Sequence, residues 1–221
     1  MSHPPVLPGD DRNVPSSPPA TAARDPLWRP QHRFTAATLP HHCRQWLLDD
    51  RSLTARLIAL DQGAFSVRRL GQAWCVPLPS ERQALGLPLR QRALVREVLL
   101  QLDGRPVVFA RSVFPLATLE GPLAHLRRLQ NRPLGAILFR QPGMRRSPFE
   151  LARLAPGSAY LEPWLDQAEP AWARRSRFNI RGSHLLVSEV FLAGFQPWNA
   201  LMPVHRSQRG TVSAAIGDSN Q

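Results

Sequence analysis

Lysine is absent: all 28 basic residues of this 221-residue chain are arginine. That excludes a lysine Schiff base, a pyridoxal phosphate anchor and a Walker A phosphate loop. Cysteine is nearly as scarce, since Cys43 and Cys75 make no disulfide framework and match no metal spacing. A reducing compartment fits. No run of about 18 apolar residues occurs, and the N-terminus lacks a basic segment followed by an apolar one. The protein therefore reads as cytoplasmic, with no stable membrane insertion. No G-x-S-x-G nucleophile elbow and no dinucleotide fingerprint is present. His41-His42 is a pair without a third ligand at metal spacing, and His125 and His184 read as ordinary surface histidines.

What is there is strongly basic, with a formal charge of +12. Aromatics are only 7% and the arginines are spread through every segment, dense only at Arg174, Arg175 and Arg177. Nucleic acid is not the expected partner, because electrostatic binding needs a contiguous basic surface. Residues 1–35 hold eight of the 23 prolines and no periodic apolar pattern, which predicts a disordered leader. Residues 36–198 are expected to form one domain, and 199–221 a disordered polar tail.

Within the domain, Leu39, Cys43, Trp46 and Leu47 have helical spacing, and Ser52 can cap a second short helix bearing Leu53, Leu57 and Leu60. Phe65 to Val76 reads as a hairpin turning at Gly71-Gln72, and Ser80 as the cap of a short helix. Gly121-Pro122 opens a helix with Leu123, Leu126 and Leu129 on one side. Arg132 to Phe139 places a Pro and a Gly before a short apolar run, a turn able to present backbone N–H groups to an anion. Phe149 to Leu154 reads as a strand, residues 156–173 as irregular, and Ser176, Phe178 and Ile180 as the apolar face of another strand.

The most informative stretch is Leu94 to Phe114. Asp103-Gly104 between alternating apolar runs is a hairpin signal, since both central residues of a type I′ turn need positive φ. A plain two-residue turn pairs Leu100 with Val107, Val98 with Phe109, and Arg96 with Arg111. Both arginines then share an apolar face. At ~6 Å and an effective dielectric of ~20 their repulsion is roughly 2–3 kcal/mol before desolvation. An anion should sit beside them. A second hairpin about Gly182-Ser183 places Glu189 opposite Ser176, also on an apolar face between Val187 and Phe191. An unpaired buried carboxylate is costly, so Glu189 is protonated, paired with arginine or bound to ligand. Two readings stay open here: a self-neutralising Arg-Glu-Arg cluster, or a closed pocket for a small anion.

The chain resembles the chorismate pyruvate-lyase (4-hydroxybenzoate synthase) family in four blocks. These are Trp46-Leu47-Leu48-Asp49-Asp50 with Ser52-Leu53-Thr54; Arg96-Glu97-Val98 through Asp103-Gly104 to Arg111 and Pro115; Gly121-Pro122 through Pro133-Leu134-Gly135 to Leu138-Phe139; and Arg174-Arg175-Ser176-Arg177 through Leu185-Leu186 to Glu189 and Phe191. The resemblance implies an α+β fold: a single antiparallel sheet of about six strands with helices packed around it and an enclosed product site. It implies a lyase splitting chorismate into 4-hydroxybenzoate and pyruvate, the first step of ubiquinone biosynthesis, with no cofactor, no metal and a monomeric chain. Arg96 would hold the ring carboxylate, assisted by backbone N–H groups of Leu134 and of Leu53 on a covering flap. Glu189 would lie near the product hydroxyl. Arg111, the second inward arginine by strand register, would neutralise the enolpyruvyl carboxylate or the leaving oxygen, or stay structural. Arg96 and Glu189 are the expected catalytic pair. The alternative is a sensor domain of the same fold that binds a small anion without chemistry.

Overall fold

Strands that are apolar on both sides must be covered on both sides. The computed structural model, which describes residues 25–35, 37–161, 165 and 167–200, shows such a sheet. Its members are β1 (Arg29–Pro30), β2 (Phe65–Cys75), β3 (Ala93–Leu102), β4 (Arg105–Pro115), β5 (Arg145–Arg146), β6 (Glu150–Leu154), β7 (Ala171–Ile180) and β8 (Ser183–Phe191). All pairs are antiparallel, in the order β1-β6-β7-β8-β4-β3-β2, with β5 pairing beside β7. The expected six strands are the longer ones, and β1 and β5 add two-residue pieces.

One face packs against α1 (His41–Leu47), α2 (Leu53–Ala59), α4 (Leu134–Leu138) and the 3₁₀ helix Gly121–Arg128. On that face Val98, Leu100 and Phe191 meet Trp46 and Leu57, while Leu94, Phe114 and Phe178 meet Leu123, Leu126 and Leu138. The leucines at 123, 126 and 129 recur every third residue, the period of a 3₁₀ helix rather than an α-helix. The other face buries Leu99, Phe109 and Val190 under Tyr160 and Leu161, and Val95 and Val113 beside α3 (Pro79–Leu85).

Three local expectations change. Gly71 is no turn: β2 runs unbroken along β3, and the irregularity is a bulge between Arg69 and Gly71. Ser80 does not cap α3, which starts with Pro79 while the Leu78 N–H donates to Glu81 Oε2 at 2.9 Å. The leader boundary at 35 is too late, because Arg29 and Pro30 pair with Leu151 and Glu150, and Asp25 accepts from Ser80. Residues 1–24 and 201–221, where the rest of the expected leader and tail fall, lie outside the described residues. The 3₁₀ turn Gln196–Asn199 docks on α1, with Trp46 Nε1 donating to the Pro197 carbonyl at 2.8 Å. No helix among the described residues is long and apolar enough to cross a membrane.

Candidate active site

Strand register decides which charged groups meet. Asp103 and Gly104 have φ of 48° and 74°, as a type I′ turn requires. Pro106 then disturbs the count. Proline has no N–H for the ladder, and a bulge accommodates it: Gln101 pairs with Pro106 but Leu100 with Val108, so Val107 is the extra residue. Beyond the bulge every partner moves by one, and Arg96 faces Ser112 while Arg111 faces Glu97. A shift of one residue exchanges sheet faces. The expected opposed arginine pair does not form, and Arg111 points away from the side on which Arg96 lies.

On its own face Arg111 is fully partnered. Its Nε and Nη2 donate to the two oxygens of Glu81 at 2.7 and 3.1 Å, and Nη1 donates to Glu97 at 2.6 Å. Burial opposes its charge, but Glu81 more than compensates and raises its pKa above the ordinary arginine value. The expected cluster of Arg96, Glu189 and Arg111 does not form; on this face one arginine meets two carboxylates instead.

The β7–β8 turn also sits one residue earlier than expected. Arg181 and Gly182 take positive φ, Ile180 pairs with Ser183, and Glu189 therefore faces Arg174 instead of Ser176. Arg174 Nε donates to Glu189 Oε2 at 2.6 Å, and its Nη1 donates to the carbonyls of Trp46 and Asp49 at 2.5 and 2.9 Å. The C-terminal end of α1 is thereby tied to the sheet, where the helix dipole favours a cation.

Between the sheet, α2 and α4 lies a void of about 520 Å³ including the solvent at its mouth. Arg96, Glu189, Leu53 and Leu134 all line it; Arg111 does not. Its walls are mainly apolar, with Val98, Leu100, Phe139, Phe178 and Val187 among them. A planar ring suits such a slot.

Arg96 stands apart from every other buried cation here. It is 1% exposed, donates from Nη2 to the Gln130 and Arg132 carbonyls at 2.7 and 2.9 Å, and leaves Nε without a partner. No carboxylate among the described residues pairs with it, and burial, reinforced by Arg69, pushes its pKa down to about 10. It stays charged at neutral pH.

The two short helices form the lip. Ser52 caps α2 by accepting from the Ala55 N–H at 3.3 Å. α4 begins after Pro133 without a side-chain cap, so its first N–H groups have no helical acceptor. The helices approach closely at Gly135, where an added Cβ would meet Ser52 Oγ at 3.2 Å and Thr54 Oγ1 at 3.3 Å.

Sequence reasoning missed Arg146. It lines the void from the short strand β5, its Nε donates to Ser176 Oγ at 2.7 Å, and its Nη2 lies 3.9 Å from Glu189 Oε2. The rings of Phe149 and Phe178 lie 4.2 and 4.9 Å from its guanidinium carbon. Burial and then Arg174 push its pKa down to about 10. No periodic signal flags a two-residue strand. Arg174 did leave one, since alternation with Ser176, Phe178 and Ile180 puts it on the apolar face.

The family model described as chorismate lyase matches residues 23–200. The chain is 46% identical over 169 residues to a probable chorismate pyruvate-lyase of Azoarcus sp. (strain BH72), covering 70% of this chain and 86% of that one. It is 36% identical over 179 residues to the corresponding protein of Pseudomonas syringae pv. tomato, covering 80% and 91%. Among solved structures, PhnF from Mycobacterium smegmatis aligns with a TM-score of 0.49 at 14% identity, covering 66% of this chain and 65% of that one. On the family model and the sequence relatives, this chain belongs to the chorismate lyase family.

Proposed function

We propose that the protein is a cofactor-independent chorismate pyruvate-lyase, releasing 4-hydroxybenzoate and pyruvate at the first step of ubiquinone biosynthesis. The observation that carries this reading is Arg96, a buried guanidinium with no carboxylate partner among the described residues, lining a mainly apolar void. Such a cation is complete only with an anionic ligand. The ring carboxylate of chorismate supplies it through a charge-assisted contact. Backbone N–H groups of Leu134 on α4 and Leu53 on α2 cover the same carboxylate.

With the ring carboxylate at Arg96, its para position lies toward Glu189. C4 of chorismate carries the hydroxyl that the product keeps, and C3 next to it carries the enolpyruvyl ether. Reaction removes the C4 proton, breaks the C3–O bond with its electron pair leaving on the ether oxygen, and aromatises the ring. The enolpyruvate takes up a proton at its methylene carbon and becomes pyruvate, so atoms and charge balance without any co-reactant. The driving force is in the substrate, and the protein supplies orientation, one polar end and exclusion of water. Both arginine contacts of Glu189 fall on Oε2, which leaves Oε1 to meet the C4 hydroxyl or its proton. Arg146 Nη2, beside it, is placed to stabilise charge developing on the departing oxygen. A ring held between the sheet, α2 and α4 enters and leaves by parting of the α2–α4 lip.

Purified protein mixed with chorismate, without added metal or nucleotide, is expected to give 4-hydroxybenzoate by absorbance and pyruvate through a coupled enzyme in equal amounts. Absence of both products with retained 4-hydroxybenzoate binding would refute the lyase and leave the small-anion sensor.

A further inference from the structure

We propose that Arg51, which lines the void, binds the enolpyruvyl carboxylate of chorismate and so adds a contact that the substrate makes and the product 4-hydroxybenzoate does not. The inference rests on the lyase reading above and assigns the second carboxylate, which that reading leaves without a partner.

Arg146 is too committed to take it. Its Nε is on Ser176 and its Nη1 on the Asp50 carbonyl at 3.2 Å, so only Nη2 faces the reacting end, beside Glu189. Arg51 is placed differently. It is among the residues that line the void, its side chain is 43% exposed, and its only ion-pair contact among the described residues is Nε to Asp49 Oδ1 at 2.9 Å. Its carbonyl lies 3.5 Å from Arg146 Nη1, which puts its backbone beside the arginine that reaches Glu189. With the ring carboxylate on Arg96, the C3 substituent of chorismate projects toward that end, within the reach of a long side chain from position 51.

Arg51 can leave Asp49 without stranding it. The other oxygen of Asp49 is bound by Arg56, which is 4% exposed, lies 4.1 Å over the Trp46 ring and donates to the Gln45 carbonyl at 3.0 Å. Arg56 is therefore the fixed counter-ion and Arg51 the exchangeable one. The charge of the lining agrees: Arg51, Arg96 and Arg146 stand against Glu189, an excess of two positive charges. Chorismate brings two carboxylates and 4-hydroxybenzoate one. Once the C3–O bond is broken, pyruvate is the fragment at Arg51, while the ring stays on Arg96.

Steady-state kinetics of wild type, Arg51→Gln and Arg51→Lys test this, with KM for chorismate and Ki for 4-hydroxybenzoate measured for each and folding checked by thermal melting. Loss of one charge-assisted contact should raise KM about tenfold to hundredfold in Arg51→Gln. Ki should stay within about twofold, because the product never touches Arg51, and Arg51→Lys should fall between the two. Equal rises in KM and Ki, no rise in either, or a lysine variant no better than glutamine would each overturn the assignment while leaving the lyase intact. No turnover by wild type overturns the lyase reading, and this inference with it.

Discussion

Replacing Arg96 by methionine separates binding from folding, because the two effects have different sizes. A pKa pushed from 12.5 down to about 10 means that holding the charge in the folded protein costs about 3 kcal/mol relative to the unfolded chain. The sign follows from the depressed pKa of a base: the penalty is fully present below about pH 10 and fades as pH rises toward 12.5. Methionine fills a similar volume and removes that penalty. It also strands the Gln130 and Arg132 carbonyls, at about 1–3 kcal/mol each. The two contributions oppose each other, so Arg96→Met should change stability by no more than about 2–3 kcal/mol. Product binding has no such compensation. A lost charge-assisted contact in a dry slot should weaken 4-hydroxybenzoate by about a hundredfold or more, and turnover should fall with it. Denaturant melts without ligand, and calorimetric titration with 4-hydroxybenzoate, read the two quantities independently. A folded Arg96→Met protein that binds product within about threefold of wild type would refute the assignment of Arg96 as the carboxylate anchor.

Glu189→Gln should lower kcat by about a hundredfold or more if the carboxylate moves the C4 proton, and single-turnover rates with normal product affinity would show it. Full turnover would instead leave Glu189 as a hydrogen-bond partner. Arg111→Met should behave in the opposite way to Arg96→Met: stranding Glu81, whose side chain is 1% exposed, should cost about 3–5 kcal/mol in denaturant melts, while product affinity stays within about twofold. Asp49 has a lowered pKa because hydrogen bonds and charge from Arg51 and Arg56 overcome the rise that burial alone would cause. Its stabilising contribution is therefore complete above its unfolded pKa near 3.8 and is lost as pH falls through the lower folded value. Asp49→Asn should flatten that acid limb in melts recorded from pH 5 downward.

Part of the candidate site was legible because burying charge is costly. Arg96 and Glu189 stand out on alternating apolar faces, and the structure keeps both beside one void with Leu53 and Leu134. The pairing was less legible, and the reason is local. A turn count assumes an unbroken ladder, whereas Pro106 cannot donate to one, and the bulge it requires carries Arg111 to the other face. That proline was the available clue. A one-residue error at Arg181-Gly182 likewise concealed the Arg174–Glu189 pair. Arg146 and Arg51 left no comparable trace, since one sits on a two-residue strand and the other in the turn before α2, where neither strand nor helix period applies.

The two faces of the sheet show two different ways of treating a buried cation. Arg111 and Arg96 lie one ladder step apart on neighbouring strands, and both are buried enough that charge needs compensation. On the Arg111 side the chain supplies it, with two carboxylates. On the Arg96 side it supplies two backbone carbonyls and a void. Compensation by a carboxylate would have stabilised Arg96 permanently and closed the site to anions. Leaving the guanidinium short of a counter-ion lowers the stability of the empty protein, and on the function proposed above that free energy is returned when an anionic ring binds. The bulge at Val107 makes the division possible, because without it both cations would crowd one face and repel.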